Sequence, residues 1–122
     1  MQNLLVVLRF NECINDQDID GLGKLMTADH VFIDSSDEVH RGKDLMIQGW
    51  QEFFDTYPDY QNHFSIVEER GDLVLVIGHS TCSYDPLDGP ALWTAKIEGD
   101  LIAEWRVYLD TIENRHKLGL PY

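Results

Sequence analysis

Two aspartates stand where a carboxylate can do proton chemistry. Asp34 closes the apolar run Val31-Phe32-Ile33, and Asp110 closes Leu101–Leu109. In an apolar surround a carboxylate has a raised pKa and can take a proton from carbon. On ideal strand alternation Asp110 shares one face with Ile102, Glu104, Arg106 and Tyr108. Leu101, Ala103, Trp105, Val107 and Leu109 share the other, which is wholly apolar. The row Arg106, Tyr108, Asp110 thus offers a cation, a hydroxyl and an acid that could bind and protonate a carbonyl. Plainer readings stand beside these. Asp34 could bond the backbone amides of its own turn, at Ser36 or Asp37. Arg106 could pair with Glu104 or Asp110 across an exposed or dimer-facing sheet. A β-bulge would exchange the faces.

His79 lies mid-strand among apolar neighbours. It is a candidate acid/base near neutral pH, or a hydrogen-bonded core histidine. His30, His40, His63 and His116 show no His-x-His or His-x₃-His spacing, and Cys13 and Cys82 form no CxxC. No metal site and no cofactor are expected. The chain also carries a large aromatic supply, which packs a core or in part lines a pocket and stacks on a flat ligand. The candidate lining positions are Trp50, Phe54, Tyr57 and Trp93, with Tyr108, Phe10 and Phe32 beside them. There is no nucleotide loop and no GxSxG.

These residues need elements to hold them. Leu4, Val7, Leu8 and Ile14 fall near one stripe and predict a helix over 2–14. A short helix follows, with Ile19, Leu22, Leu25 and Met26 on one face, weakened by Gly21 and Gly23. Val31–Asp34 reads as a strand and Glu38–His40 as its short return. Met46, Trp50, Phe53, Phe54 and Tyr57 recur with helical period over Lys43–Tyr57, which Pro58 ends. Strands are then predicted over Gln61–Glu69, Leu73–Tyr84, Ala91–Ile97 and Leu101–Leu109, with tight turns at Gly71-Asp72 and Glu98-Gly99-Asp100. One helical turn is expected in the tail. Helices first and an antiparallel meander later give one α+β domain.

Composition narrows the partners. The 122 residues carry 22 Asp+Glu against 9 Lys+Arg, a net charge of −13. Such a surface repels phosphate backbones and anionic lipid, so neither nucleic acid nor membrane is an expected partner. The longest apolar stretch, Leu4–Leu8, is too short to span a bilayer and lacks the flanks of a signal peptide, so a cytoplasmic location is expected.

The stretches NECINDQDIDGLGKLMTADHVFIDSSDEVHRGKD, GWQEFFDTYPDY and GDLIAEWRVYLD together resemble the SnoaL-like branch of the nuclear transport factor 2-like superfamily. The resemblance runs from about Phe10 to Asp110. It implies a cone-shaped curved antiparallel sheet with three helices from the N-terminal half, enclosing a pocket, and homodimers packed sheet to sheet. It implies a small hydrophobic or carbonyl-containing ligand. By the same resemblance, Asp34 matches the general base of ketosteroid isomerases and Asp110 the acid/base of SnoaL-type polyketide cyclases. The chain departs from the isomerases in having Phe10 for a donor tyrosine, and no acid near Ala91–Trp93. It departs from limonene epoxide hydrolases in having no arginine over Leu73–Tyr84. The expectation is a cofactor-free isomerase, cyclase or hydrolase, with Asp110, Asp34, Arg106 and His79 as its chemistry. The alternative is a non-catalytic ligand-binding or dimerisation module.

Overall fold

Three helices and the inner face of one sheet share most of the buried side chains. The computed structural model describes residues 2–121. Helix α1 (Asn3–Asp16) buries Val6, Val7, Phe10 and Ile14, one stripe of its surface. It ends at Gln17 in the left-handed conformation. Asp18 then caps α2 (Ile19–Lys24) by accepting from the Gly21 amide at 3.0 Å. Leu25 and Met26, read from the sequence as helical, belong to the turn and to the first strand. Strand β1 (Met26–Ile33) pairs with β2 (Val39–Arg41). Helix α3 (Lys43–Thr56) buries Met46, Trp50 and Phe54 at i, i+4 and i+8.

Strands β3 (Gln61–Arg70), β4 (Leu73–Thr81), β5 (Gly89–Glu98) and β6 (Leu101–Leu109) complete a six-stranded sheet in the order β2-β1-β6-β5-β4-β3. The meander β3 to β6 is antiparallel, as its tight turns require. One pairing is parallel, β1 with β6, because the helices and the meander lie between these strands in the chain. A fourth helix, α4 (Ile112–Lys117), follows the sheet. The fold class is the expected α+β one, with a curved sheet that is mixed at this one pairing.

Register shifts bend the sheet, one between Phe64 and Ile66 on β3 and one between Lys96 and Ile97 on β5. Opposite the first lies Gly78, where an added Cβ would run into the His63 carbonyl. At the second, Lys96 faces Glu104 while Ile97 faces Ile102, so Ala103 is the extra residue. Ile102 and Trp105 are consequently both buried, which strict alternation forbids.

The bulge and the core settle the two faces of β6 against the sequence expectation. Trp105 and Val107, in the apolar row, pack with the helices on the inner side. Arg106 and Tyr108 lie on the outer side. Trp105 and Val107, from the apolar row that motivated a sheet-to-sheet dimer, therefore turn toward the chain's own helices, while Leu109 at the end of that row is exposed. The outer face has its own cover: Leu118 and Leu120 of the tail pack with Leu75, Ile77, Leu92 and Tyr108. No helix among the described residues is long and apolar enough to cross a membrane.

Candidate functional site

Between α3 and the inner face of the sheet lies a cavity of about 500 Å³. Phe32 from β1, Trp50 and Phe53 from α3, Trp93 from β5 and Trp105 with Val107 from β6 line it. Their rings interlock. Trp50 meets Phe32 at 6.2 Å and Phe53 at 5.7 Å, and Phe53 meets Tyr60 edge-on at 4.9 Å. The result is an apolar chamber of the kind that buries a small flat molecule.

Gln48 and Glu52 of α3 add polar side chains to this wall, and hydrogen-bonded polar groups enter it at two further places. At the first, the Tyr60 hydroxyl lies 3.2 Å from Ser80 Oγ, which donates to Asn62 Oδ1 at 2.8 Å. Asn62 is locked in turn by α1, since its amide donates to Asn15 Oδ1 and its carbonyl accepts from Asn15 Nδ2. Burial pushes the Tyr60 hydroxyl pKa up, against the opposing pull of its bonds to Ser80 and Asn62. Tyr60 therefore stays a neutral phenol, and because the Ser80 hydrogen goes to Asn62, the Tyr60 hydroxyl donates its own to Ser80.

The second place is the β1–β2 turn, where Asp34 and His40 both line the cavity. Asp34 Oδ1 accepts the amides of Ser36 and Glu38 at 2.9 and 3.0 Å. Its Oδ2 lies 3.3 Å from His40 Nε2. Burial pushes the Asp34 pKa up, but the Glu38 amide, the His40 ring and the Ser36 amide together outweigh it and hold it below the usual range. Asp34 therefore stays ionised, and its carboxylate can only accept. His40 Nε2 must then carry the hydrogen, which leaves the Nδ1 lone pair free; among the described residues it has no partner. Asp34, Glu38 and His40 also bring three possible ligand atoms, two carboxylates and one imidazole, within 4.8 Å of one another.

The other candidates from the sequence lie elsewhere. Asp110 is not part of the cavity wall. Its carboxylate grips Arg115 of α4 with both oxygens, at 2.6 and 2.7 Å, and that guanidinium holds its pKa low. Of the two candidate aspartates, Asp34 lines the cavity and Asp110 ties down the tail. Arg106 pairs outside with Asp37 at 2.7 Å, not with Glu104 or Asp110, and lies 4.7 Å over the Tyr108 ring. Tyr108 belongs to the outer cluster under the tail. His79 is exposed and stacks on its cross-strand partner His63 at 4.8 Å, so it is neither a cavity base nor a core histidine.

Of the expected pocket aromatics, Trp50, Trp93 and Phe32 line the cavity. Phe54 lies behind Trp50, and Phe10 is wholly buried against Trp105 at 4.8 Å. Tyr57 instead stacks on Tyr84 at 5.3 Å. The residue missed altogether was His40. Its signal was available: six residues after Asp34 across a short turn is a spacing that brings two side chains of a hairpin together.

A family model described as a SnoaL-like domain matches residues 7–107. No curated protein matches the chain. Solved structures share the architecture at low identity. An uncharacterised cystatin-fold protein from Novosphingobium aromaticivorans is 23% identical with a TM-score of 0.79, over 89% of this chain and 99% of that one. A proposed polyketide cyclase from Sinorhizobium meliloti is 17% identical with a TM-score of 0.77, over 88% and 99%. A LEH-like epoxide hydrolase from M. tuberculosis is 16% identical with a TM-score of 0.78, over 88% and 82%.

Proposed function

The chain belongs to the SnoaL-like domain family, and we propose that its cavity performs proton transfer on a small hydrophobic, carbonyl-containing ligand, with His40 as the acid/base. One observation carries this reading: Asp34 Oδ2 and His40 Nε2 lie 3.3 Å apart on the wall of a 500 Å³ aromatic chamber. An ionised aspartate with a low pKa is a weak base toward carbon, because the proton it gains is held poorly. An imidazole is the natural base near neutral pH. Asp34 fixes the ring's tautomer and offsets the positive charge that develops when Nδ1 takes a proton.

Two neighbours of the same fold are named as a proposed polyketide cyclase and an epoxide hydrolase, which supports small-molecule chemistry as a class and not a substrate. The test is solvent-deuterium uptake at the activated carbon of 2-tetralone, followed by NMR. The wild type should accelerate exchange, and His40→Ala should lose about a hundredfold or more of that acceleration. Full exchange in His40→Ala would remove the role given to it.

A second reading is a non-catalytic binder. It is favoured by the bonds from Ser36 and Glu38 to Asp34 Oδ1, which would hold this turn whether or not any chemistry follows. Under it, 2-tetralone binds and no exchange is catalysed.

A further inference from the structure

We propose that the cavity selects a hydrophobic molecule bearing a positively charged amine. This deepens the reading of the cavity as a ligand site and rests on it, but not on catalysis by His40. Joined to the carbonyl ligand of that reading, it makes the substrate class an aminoketone or a related carbonyl amine.

The charge of the ligand follows from the wall. Asp34 and Glu52 line the cavity, and no described Lys or Arg does. The Asp34 side chain keeps 31% of its surface open beside His40, and Glu52 is exposed. Among the described residues neither carboxylate has a Lys or Arg partner. Uncompensated negative charge at a cavity, in a chain of net charge −13, draws cations and turns anions away. A carboxylate or phosphate ligand would meet like charge there with nothing to offset it.

The rings decide what kind of cation. Phe53 stands at 80° to Trp50 and 89° to Tyr60, and Phe32 at 60° to Trp50. Rings at such angles wall a compact group on several sides. The face of an aromatic ring is negative, and a cation within about 6 Å of its centre is attracted without any hydrogen bond. Phe32, Phe53 and Tyr60 are half-buried, so part of each stays open, whereas Trp93 and Trp105 are each 1% exposed and form the backing. A metal ion needs several oxygen ligands, which rings do not supply. An organic ammonium uses both features: the rings and carboxylates take its charge, and the apolar wall takes its hydrocarbon body.

The test measures binding to the full chain by calorimetry at physiological ionic strength, where loose attraction to the acidic surface is screened. The probes share one ring system: tetralin, 2-aminotetralin, its N,N,N-trimethylammonium derivative, and the anion tetralin-2-carboxylate. Both cations should bind about tenfold or more tightly than tetralin, with the carboxylate weakest. The trimethylammonium compound has no N–H, so its preference isolates the rings and the charge from hydrogen bonding. Glu52→Gln and Phe53→Leu should each reduce the cation preference. Phe53→Leu leaves the net charge at −13, so a fall there is one that attraction to the surface alone does not produce. If a variant does not fold, the wild-type order of the four probes decides. Equal binding of tetralin, a preference for the carboxylate, or no binding of 2-aminotetralin would overturn the proposal. His40→Ala should keep the cation preference while losing deuterium exchange into 2-tetralone. Exchange without a cation preference sinks this inference alone, and a cation preference without exchange sinks only the catalytic reading.

Discussion

Asp34 divides its two carboxylate oxygens between two tasks: Oδ1 closes the turn through the Ser36 and Glu38 amides, and Oδ2 holds His40 at 3.3 Å. Substitutions should separate them. Asp34→Asn keeps the shape and one acceptor oxygen but loses the negative charge beside His40 Nε2. Deuterium exchange into 2-tetralone should therefore drop about tenfold or more, less than in His40→Ala. Stability should fall as well, because amide bonds to a charged acceptor are stronger than those to a neutral one. Equal activity of Asp34→Asn and wild type, measured on protein shown to be folded, would mean that the pair does not act together.

Asp34 also predicts an acid limit. Its pKa is lowered in the folded chain. The unfolded state then binds the proton more readily, so the contribution of Asp34 is complete above the unfolded value near 4. It is lost as pH falls through the lower folded value. Urea midpoints measured between about pH 5 and 3 should fall less steeply in Asp34→Asn than in wild type. Parallel midpoints in the two proteins would contradict this.

A second window belongs to His30, which is fully buried on β1 with Nδ1 2.7 Å from the Ile102 carbonyl oxygen. That carbonyl can only accept, so Nδ1 carries the hydrogen, and Nε2 is left buried without a partner. Burial lowers the His30 pKa, and the Ile102 bond opposes this only in part. The unfolded chain therefore takes up the proton first, near pH 6.5, and stability is lost as pH falls below that value. One such group contributes at most about 1.4 kcal/mol per pH unit. Melting temperatures across about pH 7.5 to 5 should fall in wild type and flatten in His30→Leu, whatever that variant loses at neutral pH. A wild-type curve that is level over this range would refute the assignment.

Much of this was readable in the residue order, and the failures share a cause. The stripe Met46, Trp50, Phe54 and the tight turns at Gly71 and Gly99 are local signals, and they placed α3 and the meander correctly. Which face of β6 points inward is not local. Trp105 and Arg106 alternate in either case, and the choice is made by the helices that cover the sheet. Ala103 looks like any strand residue, yet it is the bulge that lets Ile102 and Trp105 both turn inward. Asp110 was misread because its partner, Arg115, sits on a short helix whose docking depends on the outer face being apolar. His79 was misread because its neighbours are apolar in sequence while its ring projects from the opposite side of β4.

The bend in the sheet gives a stability prediction at Gly78. A Cβ there would collide with the His63 carbonyl, and also lie 3.1 Å from the Phe64 Cα. These are backbone atoms of a paired strand, so they cannot swing aside. Gly78→Ala should destabilise by about 1–3 kcal/mol, the range of an overpacked site. Gly99→Ala is an informative contrast, because that glycine has open space around it but a positive φ of 54°. Its cost should come from backbone strain alone and be about 1 kcal/mol. If urea denaturation shows Gly78→Ala to be neutral, the tight approach of β3 to β4 is not real.

The last prediction separates Asp110 from the cavity. Arg115 grips Asp110 with two nitrogens and donates to the Pro121 carbonyl at 2.8 Å, while Arg70 donates to the carbonyls of Leu118 and Gly119 at 2.8 and 3.0 Å. These bonds hold Leu118 and Leu120 against Leu75, Ile77 and Leu92 on the outer face. Asp110→Asn and Arg115→Ala should both loosen this strap. Amide hydrogen exchange should rise in α4 and over the tail. The uncovered apolar row should then bind a hydrophobic dye or drive the chain to self-associate, read by sedimentation at physiological ionic strength, where the repulsion of a −13 chain is screened. Binding of 2-tetralone and exchange into it should stay within about twofold of wild type, because the pair lies on the far side of the sheet from His40. A loss of exchange in Asp110→Asn with no loosening of the tail would restore the catalytic role that the sequence suggested. Loosening with exchange intact fixes Asp110 as the anchor of the strap.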